Sequence, residues 1–217
     1  MPQKPVLDKS FYLCIMKKIL IAGLLLLFAA GTYAQRFHGG IMAGGVASQV
    51  QGDDYGGFNK LGLYGGAYVG LDVGEFSTLQ MEMAFIQKGS RQNSDPENGI
   101  YDSYLLRLNY FEVPFLYQVH FLKRLTFEVG PAMDVLISSY EEKNEMEVEN
   151  DVPLRNVTLN GLVGVSCDIT SKLKADFRFI GSITSARTNK WNGFYKRFGV
   201  WGQYNDLLAF TLWYKIK

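Results

Sequence analysis

Cysteine is nearly absent from this 217-residue chain: Cys14 lies close to the N-terminus and Cys167 stands alone thereafter. An intramolecular disulfide framework is therefore excluded once the leader is removed. Cys14 also lacks the small neighbour and preceding apolar run of a lipoprotein signal, so no lipid anchor is indicated. Histidine is as scarce, with only His38 and His120. Charge of one sign is missing too: the formal net charge is +1, and nothing in the bulk charge recruits nucleic acid. No apolar run reaches the roughly 20 residues of a spanning helix, and no amphipathic helical pattern exceeds a turn or two. What is plentiful is Gly (23), Phe (15) and Tyr (13), the mix of a turn-rich, aromatic β-protein.

The N-terminus carries the first specific signal. Lys17 and Lys18 precede the apolar run 19–30, which ends in the small-residue stretch Gly31-Thr32-Tyr33-Ala34. This pattern predicts a secretory signal peptide cleaved after Ala34, with the signal proper at 16–34 and residues 1–15 an overextended start or untidy leader. Domain organisation is then a leader, 1–34, and a single β-domain, 35–217. The leader holds four Lys and one Asp, so the remainder has 18 basic against 20 acidic residues.

Beyond Phe37 the dominant period is two. It predicts eight strands, at 37–50, 60–73, 76–89, 103–121, 125–139, 154–170, 172–183 and 206–216. Their connections alternate. Short turns fall at 74–75, 122–124 and 170–171, and long polar segments at 51–59, 90–102, 140–153 and 184–205. That rhythm is the one expected of an all-β, eight-stranded antiparallel up-and-down transmembrane barrel with short periplasmic turns and four longer external loops.

The faces bear on the surrounding solvent. Leu125, Phe127, Val129, Met133, Val135 and Ile137 oppose Thr126, Glu128, Gly130, Ala132 and Asp134, and the sixth and seventh predicted strands repeat the contrast. A soluble barrel points the apolar face inward, whereas a membrane barrel points it at lipid. Periodicity alone leaves both open, so a soluble secreted or periplasmic lipocalin-like ligand-binding barrel stands as the alternative, with a small-solute channel as a second. Strand length favours the membrane, as do aromatics near strand ends (Phe37, Tyr104, Phe121, Tyr140, Trp213 and Tyr214), read as interfacial girdles. The charged face, which also includes Asp72 and Lys88, predicts a lumen ion-pair network of Glu82, Arg107, Glu112, Glu128, Asp134, Asp168, Lys174, Asp176 and Arg178. Eight strands leave an interior that side chains can fill. In the fourth strand the apolar phase changes near Tyr110, which predicts a β-bulge there, and Pro114 and Pro131 point the same way.

Three segments in order, Leu79-Gln80-Met81-Glu82-Met83-Ala84-Phe85-Ile86-Gln87-Lys88-Gly89, Leu108-Asn109-Tyr110-Phe111-Glu112-Val113-Pro114 and Phe127-Glu128-Val129-Gly130-Pro131, make the chain resemble the PorT-like family of small outer-membrane β-barrels. The resemblance implies an eight-stranded barrel inserted by the barrel assembly machinery. Most members of that family have no established molecular activity. The founding member is associated with type IX protein secretion, a role not carried over to this chain. Phe210, Leu212, Tyr214 and Ile216 alternate as an insertion signal does, although the last residue is Lys217 rather than an aromatic.

Catalytic chemistry finds little support. His38 and His120 fall on the first and fourth strands near the periplasmic rim, not neighbours around the ring, so no shared metal site is expected. No nucleophile–histidine pair suits the loops, and no cofactor is called for. The acidic stretch Glu141, Glu142, Glu145, Glu147, Glu149 and Asp151 lacks the central Gly of a Ca²⁺ loop and reads as a solvated loop. The last long loop interleaves Arg187, Lys190, Lys196 and Arg197 with Trp191, Phe194, Tyr195 and Trp201. Two readings stand: an external surface for lipopolysaccharide phosphates, glycans or an envelope or secretion protein, or aromatics that fold the loop over the mouth or extend the last strands. Expected partners are outer-membrane lipid and lipopolysaccharide, the assembly machinery during insertion, and such an envelope protein, with no nucleic acid.

Overall fold

Alternating side chains and short turns make each strand pair with the next, and a computed structural model shows the result over residues 37–148, 152–188 and 195–216. The predicted signal peptide lies outside the described residues. Eight long antiparallel strands form the ring: Phe37–Gln51, Lys60–Asp72, Ser77–Gln92, Tyr104–His120, Leu125–Lys143, Val157–Asp168, Leu173–Ser182 and Val200–Lys215, here called first to eighth. Each pairs with its neighbour, and the first also pairs with the eighth, from Gly40 opposite Lys215 to Gln51 opposite Tyr204. Closure leaves no sheet edge, a condition for β-structure in lipid, where an unpaired backbone amide finds no water.

The apolar face points outward. Leu63, Leu79, Phe85, Phe115, Val129 and Phe210 are all exposed on the wall, while Glu82, Lys88, Glu112 and Arg178 are buried in the lumen. The lipocalin-like reading is thereby overturned, because a soluble barrel with this wall would present a continuous apolar belt to water.

Several strands run further than expected at the rim of the long loops. The fifth continues to Lys143 and the eighth begins at Val200 rather than 206; two-residue strands, Arg187–Thr188 and Lys196–Arg197, pair with its extension, and Met146–Glu147 folds back on the end of the fifth. Residues such as Ser139 and Glu141 carry no apolar alternation, yet the hydrogen-bonded ladder continues through them, beyond the apolar belt.

The bulge is present, but its cause differs from the expectation. Pairing of the fourth and fifth strands shifts between Asn109 and Tyr110, where Asn109 faces Ser138, Tyr110 faces Leu136, and Ile137 on the fifth strand is the extra residue. The fourth strand itself keeps one phase: Tyr104, Leu106, Leu108, Tyr110, Glu112, Leu116 and Gln118 all point inward. What changes along it is the surroundings, polar outside and apolar inside near the external end, and the reverse lower down. The prolines are not at the bulge. Phe115 and Leu116, which lie opposite Pro131 and Gly130, are skipped by the ladder with no change of register on either side.

Two of the predicted girdle aromatics are inside. Tyr104 and Trp213 are buried in the lumen, because each shares the inward phase of its strand; Phe37, Phe121 and Tyr214 are exposed as expected of girdle residues, and Tyr140 is also on the outer face.

Candidate functional site

The middle of the lumen holds two cation-centred clusters joined by a tyrosine. Arg178, from the seventh strand, donates a fork of two hydrogen bonds to Glu82 of the third, both 2.8 Å, and its Nε meets Glu128 and, at 2.7 Å, Asp176. The other face of the guanidinium lies on Trp213, 4.8 Å from the ring centre. Lys88 contacts Glu112 at 2.9 Å and Asp134 at 2.7 Å. Tyr64 bridges the clusters: its hydroxyl donates to Glu112 at 2.8 Å and accepts from Arg178 at 3.4 Å. Gln80 and Gln118 donate to Glu82 and Glu128. All seven ionic side chains are buried, so each charge is compensated by protein partners rather than by water, most of them on other strands and Asp176 by Arg178 of its own strand.

Room for this plug comes from glycine. Gly164 faces inward opposite Arg178, and a Cβ there would stand 2.9 Å from both Arg178 Cγ and Glu128 Oε1.

Not every predicted lumen residue joins the network. Arg107 points outward, on the wall at the external end, because it occupies the odd phase of the fourth strand. Asp168 and Lys174 face the lumen only at its periplasmic mouth, Lys174 lying 5.1 Å from the Trp213 ring centre, and neither joins the clusters. Tyr64 and Trp213 are the functional side chains that strand patterning missed; inward phase alone would have marked both.

At that mouth His38 and His120 line one cavity, although their strands are not adjacent. Asp72 is 3.6 Å from His38 and accepts from Thr78, whose hydroxyl lies 3.0 Å from His120. Among the described residues no group of His, Cys, Asp and Glu is arranged to hold a metal.

The external rim is tied together by polar contacts. Tyr55 of the first loop stacks on Tyr104 at 4.4 Å; Tyr104 donates to Glu141, and so does Arg187, at 2.8 Å. Arg197 forks onto Asp206 with bonds of 2.9 and 2.8 Å and packs between Tyr195 and Tyr204. Arg187 and Arg197 therefore hold the rim together through carboxylates, and what the described part of the loop leaves outward is Lys196 over Trp201, with Phe198 and Val200 exposed beside them. Lys190, Trp191 and Phe194 lie outside the described residues, as do Glu149 and Asp151. Burial pushes the Asp53 carboxyl in the first loop up to about 6.

One solved structure and a family model agree with this architecture. Neisserial surface protein A (NspA) is similar in structure with a TM-score of 0.53 at 11% identity, over 83% of this chain and 97% of that one. Ail, the attachment invasion locus protein of Yersinia pestis, gives a TM-score of 0.43 at 11% identity, over 82% of this chain and 98% of that one. Among curated proteins, none matches the sequence. Residues 31–187 match the outer membrane protein beta-barrel domain, and with that match over most of its length and an eight-stranded ring turned apolar side out, the chain belongs to the outer membrane protein beta-barrel domain family.

Proposed function

We propose that this chain is a non-conducting, non-enzymatic outer-membrane barrel of PorT-like type, exported by its N-terminal signal and inserted by the barrel assembly machinery, that acts by holding an envelope or secretion partner at its external rim. The observation that carries this reading is the lumen itself. A barrel plugged by Arg178, Lys88 and five buried carboxylates offers no aqueous path, which leaves the rims as surfaces on which to act. Lys196, Phe198, Val200 and Trp201 supply an exposed basic and aromatic edge of the kind enriched at interfaces. Arg91 and Arg107 stand on paired strands of the outer wall at the external end, placed to meet lipopolysaccharide phosphates.

Photo-crosslinking in intact cells tests this. A crosslinker at Phe198 or Trp201 is expected to give a discrete envelope-protein adduct that Trp201→Ala or Phe198→Ala in the same chain diminishes, while one at the lipid-facing Phe85 is not. Adducts to lipid alone from every position would overturn it.

A further inference from the structure

The short-turn rim encloses a second feature that the plug does not use, a cavity of about 450 Å³ opening to the periplasm. Its wall carries Lys123, Arg124, Lys172, Lys174 and Lys215 against two carboxylates, Asp72 and Asp168. Lys174 shares the inward phase of Asp176 and Arg178, and Lys215 that of Thr211 and Trp213, so these charges face the lumen rather than lipid headgroups. Among the described residues none of the five cations has a carboxylate in ion-pair contact. The floor is closed by Trp213 against Tyr68, ring centres 4.6 Å apart, with the Arg178 cluster beyond.

We propose that this blind funnel binds a soluble, phosphate-bearing polyanion of the periplasm. Clefts lined by one sign of charge within low-dielectric walls focus the field and concentrate counter-ions. Four of the five cations are lysines, compact point charges that suit phosphate oxygens spread over several groups rather than one planar carboxylate. Asp168 lies directly across the ladder from Lys174, which makes it the carboxylate that most directly competes with such a ligand for a cation of the cavity.

The test uses the full barrel folded in maltoside micelles, which contain no phosphate, with tripolyphosphate titrated at about 0.15 M salt to screen loose surface attraction. Saturable NMR shifts are expected at Lys172, Lys174, His120 and the Trp213 indole and not at the external Lys196 or Trp201. The K172Q/K174Q/K215Q variant is expected to bind about tenfold or more weakly. Asp168→Asn, which removes no cation, is expected to bind severalfold more tightly and decides the matter should the triple variant fail to fold. Absence of saturation, shifts confined to the external rim, unchanged affinity in the triple variant, or weaker binding by Asp168→Asn would each overturn the proposal. So would a response to phosphatidylglycerol added to the micelles with none to tripolyphosphate, which would make the mouth a lipid-headgroup site.

Discussion

Arg178 concentrates more of the lumen's chemistry than any other side chain, since Glu82, Glu128 and Asp176 all converge on it. Replacing it by Met strands three buried carboxylates without their cation, and the expected loss is about 3–5 kcal/mol in urea unfolding from vesicles. Gly164→Ala is expected to cost about 1–3 kcal/mol in the same assay, because the new methyl meets the Arg178 stem, the Glu128 carboxylate and, at 3.0 Å, the Phe177 carbonyl. At the external rim the sign of a pH effect follows from Asp53. Its carboxyl binds a proton more readily in the folded loop than in an unfolded one, so stability is added as pH falls through about 6 and is lost again as pH rises. Amide exchange of the first loop, corrected for intrinsic rate, is expected to slow between pH 7 and 5, and Asp53→Asn to abolish the difference.

Among the strands, the fifth shows how register places a side chain. Inward positions are even-numbered up to Leu136 and odd-numbered beyond the bulge at Ile137, which is how Glu141 meets Tyr104 and Arg187. Deleting Ile137 removes the bulge and leaves Glu141 inward, so the rim contacts are expected to survive. Deletion of both Ile137 and Ser139 leaves no bulge to absorb the second residue and turns Glu141 outward, because a one-residue slip exchanges the faces of everything beyond it. Hydrogen exchange at Arg187 distinguishes the two, with protection retained in the first variant and lost in the second. The same strand shows the limit of patterning: its apolar alternation ends near Ile137, whereas its ladder runs to Lys143.

For the whole molecule, closure and plugging predict two behaviours. The folded barrel is expected to migrate differently on a gel before and after boiling, as a closed hydrogen-bonded ring resists detergent until heated. Reconstituted in a planar bilayer, it is expected to show no single-channel conductance. Steady unitary currents would instead favour the solute channel and show that the Arg178 and Lys88 clusters leave a water path.

Sequence alone determined the number of long strands, the short and long alternation of their connections and the charged side of the fifth, sixth and seventh strands, because turn chemistry and period two are local properties. It placed the bulge near Tyr110 as well, although on the wrong strand. Which carboxylate meets which cation was decided only by the tertiary structure. Glu82 and Arg178 are 96 residues apart in the chain and meet across the lumen only when the first strand closes on the eighth. Strand phase put Arg107 on the outer wall and Trp213 at the floor of the periplasmic mouth, since phase, rather than residue type, sets whether a side chain meets lipid or the lumen.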